Sequence, residues 1–307
     1  MSADLVLPGM KKTEEEHRRE ICVVGRWLFE RGFVPATDGN ISVRLDSHRI
    51  LVSPTGARKG EMDPDDMVIT DSEGLKISGR LGISSEIGMH LQIYAMRPDV
   101  QAICHAHPAI STGFAASGVA LDRALLCEQV VNLGAVPLAS YGTPGTPELA
   151  ASIRPFVSSH DAILLANHGV VTYGPDLLSA FYRMEMTEHL ARVSMVTRII
   201  GHENLLSDTD VDVLFAARAR YGVHTGAGEA ARPITCDSEH SEWVTMSRRR
   251  LETLIDERVK AATKPTRVGM LISGTTRRLR KIRFVDTLAT LINNRSNDWL
   301  SAWQARR

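Results

Sequence analysis

The stretch "AICHAHPAI", residues 102 to 110, constrains the chain more than any other. It is apolar and built of small residues, as a strand buried in a sheet should be, yet it carries His105 and His107 around a single alanine. Side chains alternate faces along a strand, so the two imidazoles point the same way. A buried strand fills that face with Val or Leu unless the histidines meet a ligand or partner. The sequence therefore asks what these two histidines meet on that face.

The flanking sequence reads as helices and strands. Thr13 with Glu16 three residues on reads as a capping box, opening a helix that carries Ile21, Val24, Trp27 and Leu28 and stops at Gly32. "NISVRL" and "RILVS" read as a hairpin turned through Asp46, Ser47 and His48, and "DMVIT" as a further strand. Ser85 is expected to cap a helix reaching Met96. "VQAICHAH" and "AVPLAS" read as buried strands, and "AILLANHGVVTYG" as strand, turn and strand. Thr146, Pro147 and Glu148 start a helix in the order cap, proline, acid. The longest amphipathic helix runs from Asp176 to Ile200, and Ser207 caps a last one ending near Tyr221.

The composition narrows the class. The chain has 307 residues, 43% hydrophobic and 23% charged, with net charge zero, which points neither to specific nucleic-acid binding nor to a membrane. No run of about 18 apolar residues occurs, and no signal peptide is expected at the N-terminus. Four scattered cysteines without CxxC spacing fit a reducing cytoplasm. The average hides a split, because residues 265–307 carry a net charge of +7 and the rest −7. The predicted organisation is a catalytic domain over 1–225, a flexible Gly- and Ala-rich linker over 226–242, an amphipathic helix over 243–263 and a basic tail over 264–307.

His168 in "ANHGVV" is a third imidazole at a strand tip. Three neutral imidazoles with an open fourth position suit a catalytic Zn²⁺ or another divalent metal. Glu86 in "GISSEIG", at the start of the helix leading into the histidine strand, is the nearest candidate to move protons. Cys104 falls on the opposite strand face and reads as core. A second set of turns, "TDGN", "SPTG" and "SSE", offers backbone N–H groups and hydroxyls of the kind that cradle a phosphate.

In their order and spacing, "DGNISVR", "LVSPTG", "SSEIGMHLQIY", "AICHAHP", "VPLASYGTPGTPEL", "LLANHGVVTYG" and "YRMEMTEHLAR" resemble the class II aldolase/adducin family, over residues 13 to 225. The resemblance implies a three-layer α/β/α fold around a mostly antiparallel sheet, and a cyclic homotetramer with active sites at subunit interfaces. It implies His105, His107 and His168 as zinc ligands and Glu86 as the acid/base. It implies Asn40, Thr55, Gly56, Ser84 and Ser85 as the phosphate cradle, and Tyr221 as a catalytic tyrosine at the aldehyde end. The family's other catalytic tyrosine has no equivalent: the chain reads "LLCEQVVNLG" there, with Glu128 the nearest proton carrier.

The implied reaction is metal-dependent cleavage of a ketose 1-phosphate, L-fuculose 1-phosphate or a close relative, to dihydroxyacetone phosphate and a small aldehyde such as L-lactaldehyde. The alternatives within the fold are a sugar-acid phosphate decarboxylase, another sugar-phosphate lyase or a dehydratase. A non-catalytic scaffold would not need the three histidines. The helix over 243–263, behind its linker, resembles the peptides that carry enzymes into bacterial microcompartments, with shell proteins as partners; a helix that packs locally is the competing reading.

Overall fold

The strand Ala102–Ala106 (β5) lies in the middle of an eight-stranded sheet and is buried along its whole length. Its neighbours are Asn40–Arg44 (β1) on one side and Gly169–Gly174 (β8) on the other, both antiparallel to it. Beyond β1 come Ile50–Val52 (β2), Val68–Thr70 (β3) and Lys76–Ser78 (β4); beyond β8 come Ala162–Leu165 (β7) and Leu138–Ala139 (β6). Only β6 and β7 run parallel; every other pairing is antiparallel. The computed structural model describes residues 12–221, 223 and 231–237.

Helices cover both faces, which is why the central strands are nearly continuously apolar rather than alternating. On one face Ala102, Cys104 and Ala106 pack with Ile21, Val24 and Leu28 of helix Glu14–Glu30 (α1) and with Phe181 and Met184 of helix Leu177–Ile200 (α6). On the other, Ile103 packs with Met89, Ile93 and Tyr94 of helix Ile87–Met96 (α2), and with Leu149 and Ile153 of helix Pro147–Val157 (α5). The three expected layers are present. Alternation places Cys104 with the α1 and α6 layer and His105 on the α2 side.

The caps hold where a side chain supplies them. Thr13 and Glu16 form the predicted box on α1, Asp176 caps α6 and left-handed Gly201 ends it. Ser207 opens the last helix, Asp208–Ala217 (α7 in chain order), with Asp210 closing the box. Ser85 does not cap α2. The N-cap there is Glu86, and no side chain satisfies the cap. Two helices had no sequence signal: Ala109–Ala116 (α3) and Cys127–Asn132 (α4). The start of α3 is capped from afar, by Glu188 of α6, whose carboxylate accepts from the N–H of Ile110 and Ser111.

The expected linker is partly structure. Over 231–237 the chain is folded onto the domain: Ala135 N–H donates to Ala231 C=O, Ala124 N–H to Ile234 C=O, and Cys236 N–H to Leu206 C=O. Ala231 and Thr235 are buried. Side chains add to these backbone pairings: Thr235 Oγ donates to Asp208 at 2.7 Å, and Arg232 pairs with Asp208 and Asp212. The chain divides into two units, Met1–Glu242 and Trp243–Arg307. The second holds the predicted helix 243–263 and the basic tail 264–307, which lie outside the described residues.

Candidate active site

The site is built where β5 ends beside the start of α2. His105, fully buried, faces Val170 of β8, and its Nδ1 lies 2.9 Å from the Val170 carbonyl oxygen. A carbonyl only accepts, so Nδ1 carries the proton and Nε2 presents a lone pair. His107 lies just past the strand, held by its own N–H on the Phe33 carbonyl. Its Nδ1 is 3.3 Å from the Asp38 carboxylate, which leaves its Nε2 facing His105 Nε2 at 3.1 Å.

His168 sits in the turn between β7 and β8, and each letter of "NHG" has a physical cause. Asn167 takes a left-handed conformation (φ 57°), which asparagine tolerates. Gly169 passes so close to the histidines that a Cβ would stand 2.5 Å from His107 Cδ2 and 2.6 Å from the Ala106 carbonyl oxygen. His168 Nδ1 is buried without a hydrogen-bond partner, and its Nε2 is 3.2 Å from Glu86 Oε1.

The three rings are mutual neighbours, and one nitrogen from each lies within 4.8 Å of the others. Among the described residues no other cluster could hold a metal. A tetrahedral ion with bonds near 2.0–2.1 Å sets its ligand nitrogens about 3.3 Å apart, close to the separation of His105 and His107 Nε2. Two lone pairs facing at that range repel unless a cation or proton stands between them. Burial pushes His107 and His168 down to about 4. Both are then neutral at physiological pH, the form that ligates. The donor set fits a divalent metal.

Glu86 completes the cluster. It is buried, with Oε2 3.3 Å from His105 Nε2 and accepting from the Asn40 amide at 2.8 Å. Burial raises its pKa; His105 and then His168, where their rings carry a proton, and the donating Asn40 amide act the other way and set the balance below the usual carboxylate range.

The structure ties together the loops of the expected phosphate cradle. Thr55 N–H donates to the Gly82 carbonyl at 3.0 Å, joining the Thr55–Gly56 turn to the loop carrying Ser84 and Ser85. Thr55, Gly56 and Ser85 are exposed, and Ser84 is buried beneath Glu86, whose N–H reaches its Oγ at 3.4 Å. Asn40 departs from the expectation. Its side chain is buried and engaged by Glu86 on one side and His90 on the other, which makes it a support of the acid rather than part of an anion surface. Tyr221 closes a short turn at Ala219–Tyr221, and its side chain lies outside the described residues. Glu128 is exposed on α4.

Three further residues emerge only in three dimensions. Asp38, visible in "TDGN" but given no role, holds His107. His90 supports Asn40; its spacing of four from Glu86 on one helix was the available signal. Lys59 is buried, donating to the carbonyls of Thr37 (3.1 Å) and Ala57 (2.7 Å), and nothing in the sequence marked it.

The chain is similar in sequence and fold to known proteins. The family model for the Class II Aldolase and Adducin N-terminal domain matches residues 19–195. A 3-oxo-tetronate 4-phosphate decarboxylase of Haemophilus influenzae is 34% identical over 201 residues, 63% of this chain and 94% of that protein. A 5-deoxy-D-ribulose 1-phosphate aldolase of Bacillus thuringiensis is 31% identical over 68% of this chain and 98% of its own length. Among solved structures, an L-fuculose 1-phosphate aldolase superposes with a TM-score of 0.62 at 30% identity, covering 68% of this chain and 98% of that one. YgbL from Klebsiella pneumoniae does so at 0.63 and 30%, covering 66% and 100%.

Proposed function

The chain belongs to the class II aldolase and adducin family, and within it we propose a lyase that cleaves a ketose 1-phosphate, L-fuculose 1-phosphate or a close relative, to dihydroxyacetone phosphate and a small aldehyde. The observation that carries this reading is the convergence of three ring nitrogens and one buried carboxylate at the end of β5. His105, His107 and His168 would hold a divalent cation, zinc in this reading, which when bound supplies the Lewis acidity that polarises the substrate carbonyl.

The chain's own residues do the rest. Thr55, Gly56, Ser84 and Ser85 bind the phosphate through N–H groups and hydroxyls, fixing the reacting carbons and removing the entropic part of the barrier. When the carbon–carbon bond breaks, its electron pair stays on the carbon beside the carbonyl. That carbon must then be protonated, and Glu86 is the group placed to hold the proton. In aldol cleavage the hydroxyl of the departing fragment also loses a proton, and Tyr221 is proposed at that end.

Decarboxylation of a 3-oxo sugar-acid phosphate is the second reading, and two observations favour it. A decarboxylase is 34% identical to this chain, and "LLCEQVVNLG" supplies no tyrosine where the aldolase pattern has one. Loss of carbon dioxide needs the same protonation of carbon but no base for a departing hydroxyl. Exposed Val196, Ile199 and Ile200 at the end of α6 support an assembled state, a homotetramer in this reading. Among the described residues no helix is long and apolar enough to cross a membrane.

The test offers L-fuculose 1-phosphate and a 3-oxo-tetronate 4-phosphate to the zinc-loaded protein and to chelated protein. Chelator-sensitive release of triose phosphate from the first is expected. Carbon dioxide from the second alone would replace the aldolase reading with the decarboxylase.

A further inference from the structure

Behind Glu86 runs a ladder of buried hydrogen bonds that the reaction as described does not use. Glu86, His90 and Tyr94 follow one another at four-residue intervals down one face of α2. Asn40 and Ser42 lie two apart on one face of β1. The two faces interleave: Asn40 Nδ2 to Glu86 Oε2 at 2.8 Å, His90 Nε2 to Asn40 Oδ1 at 2.6 Å, Ser42 Oγ to His90 Nδ1 at 2.6 Å, and Tyr94 OH to Ser42 Oγ at 2.9 Å. His90 and Ser42 are fully buried, and Asn40 and Tyr94 nearly so.

The direction of every bond follows from the chemistry of its members. The Glu86 carboxylate only accepts, so the Asn40 NH₂ must face it and the Asn40 carbonyl must face His90. That carbonyl only accepts, so His90 carries its proton on Nε2 and offers a lone pair at Nδ1. Ser42 therefore gives its hydroxyl proton to His90, and Tyr94 gives its own to Ser42. With Glu86 ionised and His90 neutral, this is the arrangement of protons that satisfies all four contacts.

We propose that His90 is a positioning residue for the acid: it locks the orientation of the Asn40 amide, and the amide in turn fixes the Glu86 carboxylate against the histidine cluster. Without the Nε2–H donor, the Asn40 carbonyl is left buried without its partner, and the amide loses the second anchor that holds it, and with it the Glu86 carboxylate, in place. No proton travels along the ladder. The inference rests on the reading of Glu86 as the proton carrier, and it adds a residue that touches neither substrate nor metal.

The experiment has two arms on the full-length, zinc-loaded protein. In the first, long-range ¹H–¹⁵N correlation of the histidine rings reads the tautomer of His90; the Nε2–H form is expected, and the Nδ1–H form overturns the proposal. In the second, His90→Gln and His90→Asn are compared for kcat, KM and bound zinc. Glutamine places its NH₂ where Nε2 stands and keeps the donor to Asn40, whereas asparagine reaches only the Nδ1 position. The expected result is kcat within about threefold of wild type for His90→Gln and about 10- to 100-fold lower for His90→Asn, with KM and zinc unchanged in both. Equal losses in the two variants would reduce His90 to a packing role, and wild-type kcat in both would remove it altogether. Should the wild-type protein cleave neither sugar phosphate, the reaction reading falls and the tautomer alone decides the proposal.

Discussion

The histidine wall and the anion rim are neighbours, yet they are made differently. In the wall, the proposed function sits in side chains: His105 is fully buried with Nδ1 on the Val170 carbonyl, and His107 lies against Asp38. In the proposed rim, the anion would be held by backbone N–H groups and small hydroxyls on exposed turns at Thr55, Gly56 and Ser85. A ligand lone pair must be aimed, so it requires a particular residue and a second partner to orient it. A cradle of N–H groups asks only for a backbone shape, which many turn residues provide. Substitutions should therefore be severe in the wall and mild in the rim.

The largest effect is expected from His107→Ala. Removing one of three nitrogens leaves a two-ligand site, so bound zinc should fall from one per chain to a small fraction of that, with turnover down by about 10³-fold or more. Metal analysis after dialysis checks this, and full zinc retention would remove His107 from the ligand set. Next comes Glu86→Gln. The amide keeps the shape and the hydrogen-bonding reach toward the histidines but cannot carry the proton, so zinc should stay while kcat falls by about 10²- to 10⁴-fold. The pair of variants separates the part of the wall that binds from the part that reacts.

The same contrast governs what the sequence disclosed. His105, His107, His168 and Glu86 were legible because a titratable residue in an apolar strand or at a helix start is out of place unless something needs it. Buried strands were legible in the apolar runs, and the three layers followed from the family resemblance. The family resemblance places Asn40 in the rim; the packing of α2 on β1 sets its side chain against Glu86. Helix α3 escaped notice because its cap comes from Glu188, 77 residues away along the chain. The 231–237 segment is held by backbone pairing and by the bonds of Arg232, Thr235 and Asp237 to helix α7, partners far along the chain that show no local period. What the sequence hides is whatever another part of the chain supplies.

Lys59 joins the two regions, and its effect should be intermediate. Its ammonium holds the carbonyl of Thr37, next to Asp38 of the wall, and that of Ala57, next to Gly56 of the rim. Burial pushes its pKa down to about 8, against the opposing pull of Asp38 and Glu86. The sign follows from linkage: between about pH 8 and 10.5 the unfolded chain binds the proton more tightly than the folded one, so stability rises with pH in that window. The neutral amine still has two hydrogens for its two carbonyls. Relative to Lys59→Met, the wild-type protein should gain up to about 3 kcal/mol from pH 8 to 10.5, measured by urea unfolding of both proteins across the range. A constant difference would mean that Lys59 titrates at its ordinary value.

The smallest effect belongs to the rim itself. Ser85 is exposed, does not cap α2, and faces the turn at Gly145, where a Cβ would lie 3.4 Å from its own. Ser85→Ala removes one hydroxyl while leaving the backbone N–H groups in place, so it should take from the phosphate one hydrogen bond among several. A charge-assisted bond of about 1.5–3 kcal/mol, partly replaced by water at an exposed position, translates to a rise in KM of about 3- to 30-fold. Because the phosphate is held alike before and during bond cleavage, kcat should stay within about twofold. A fall in kcat as large as that of Glu86→Gln would break the comparison, placing the Ser85 hydroxyl at the reacting carbons and making the rim part of the wall.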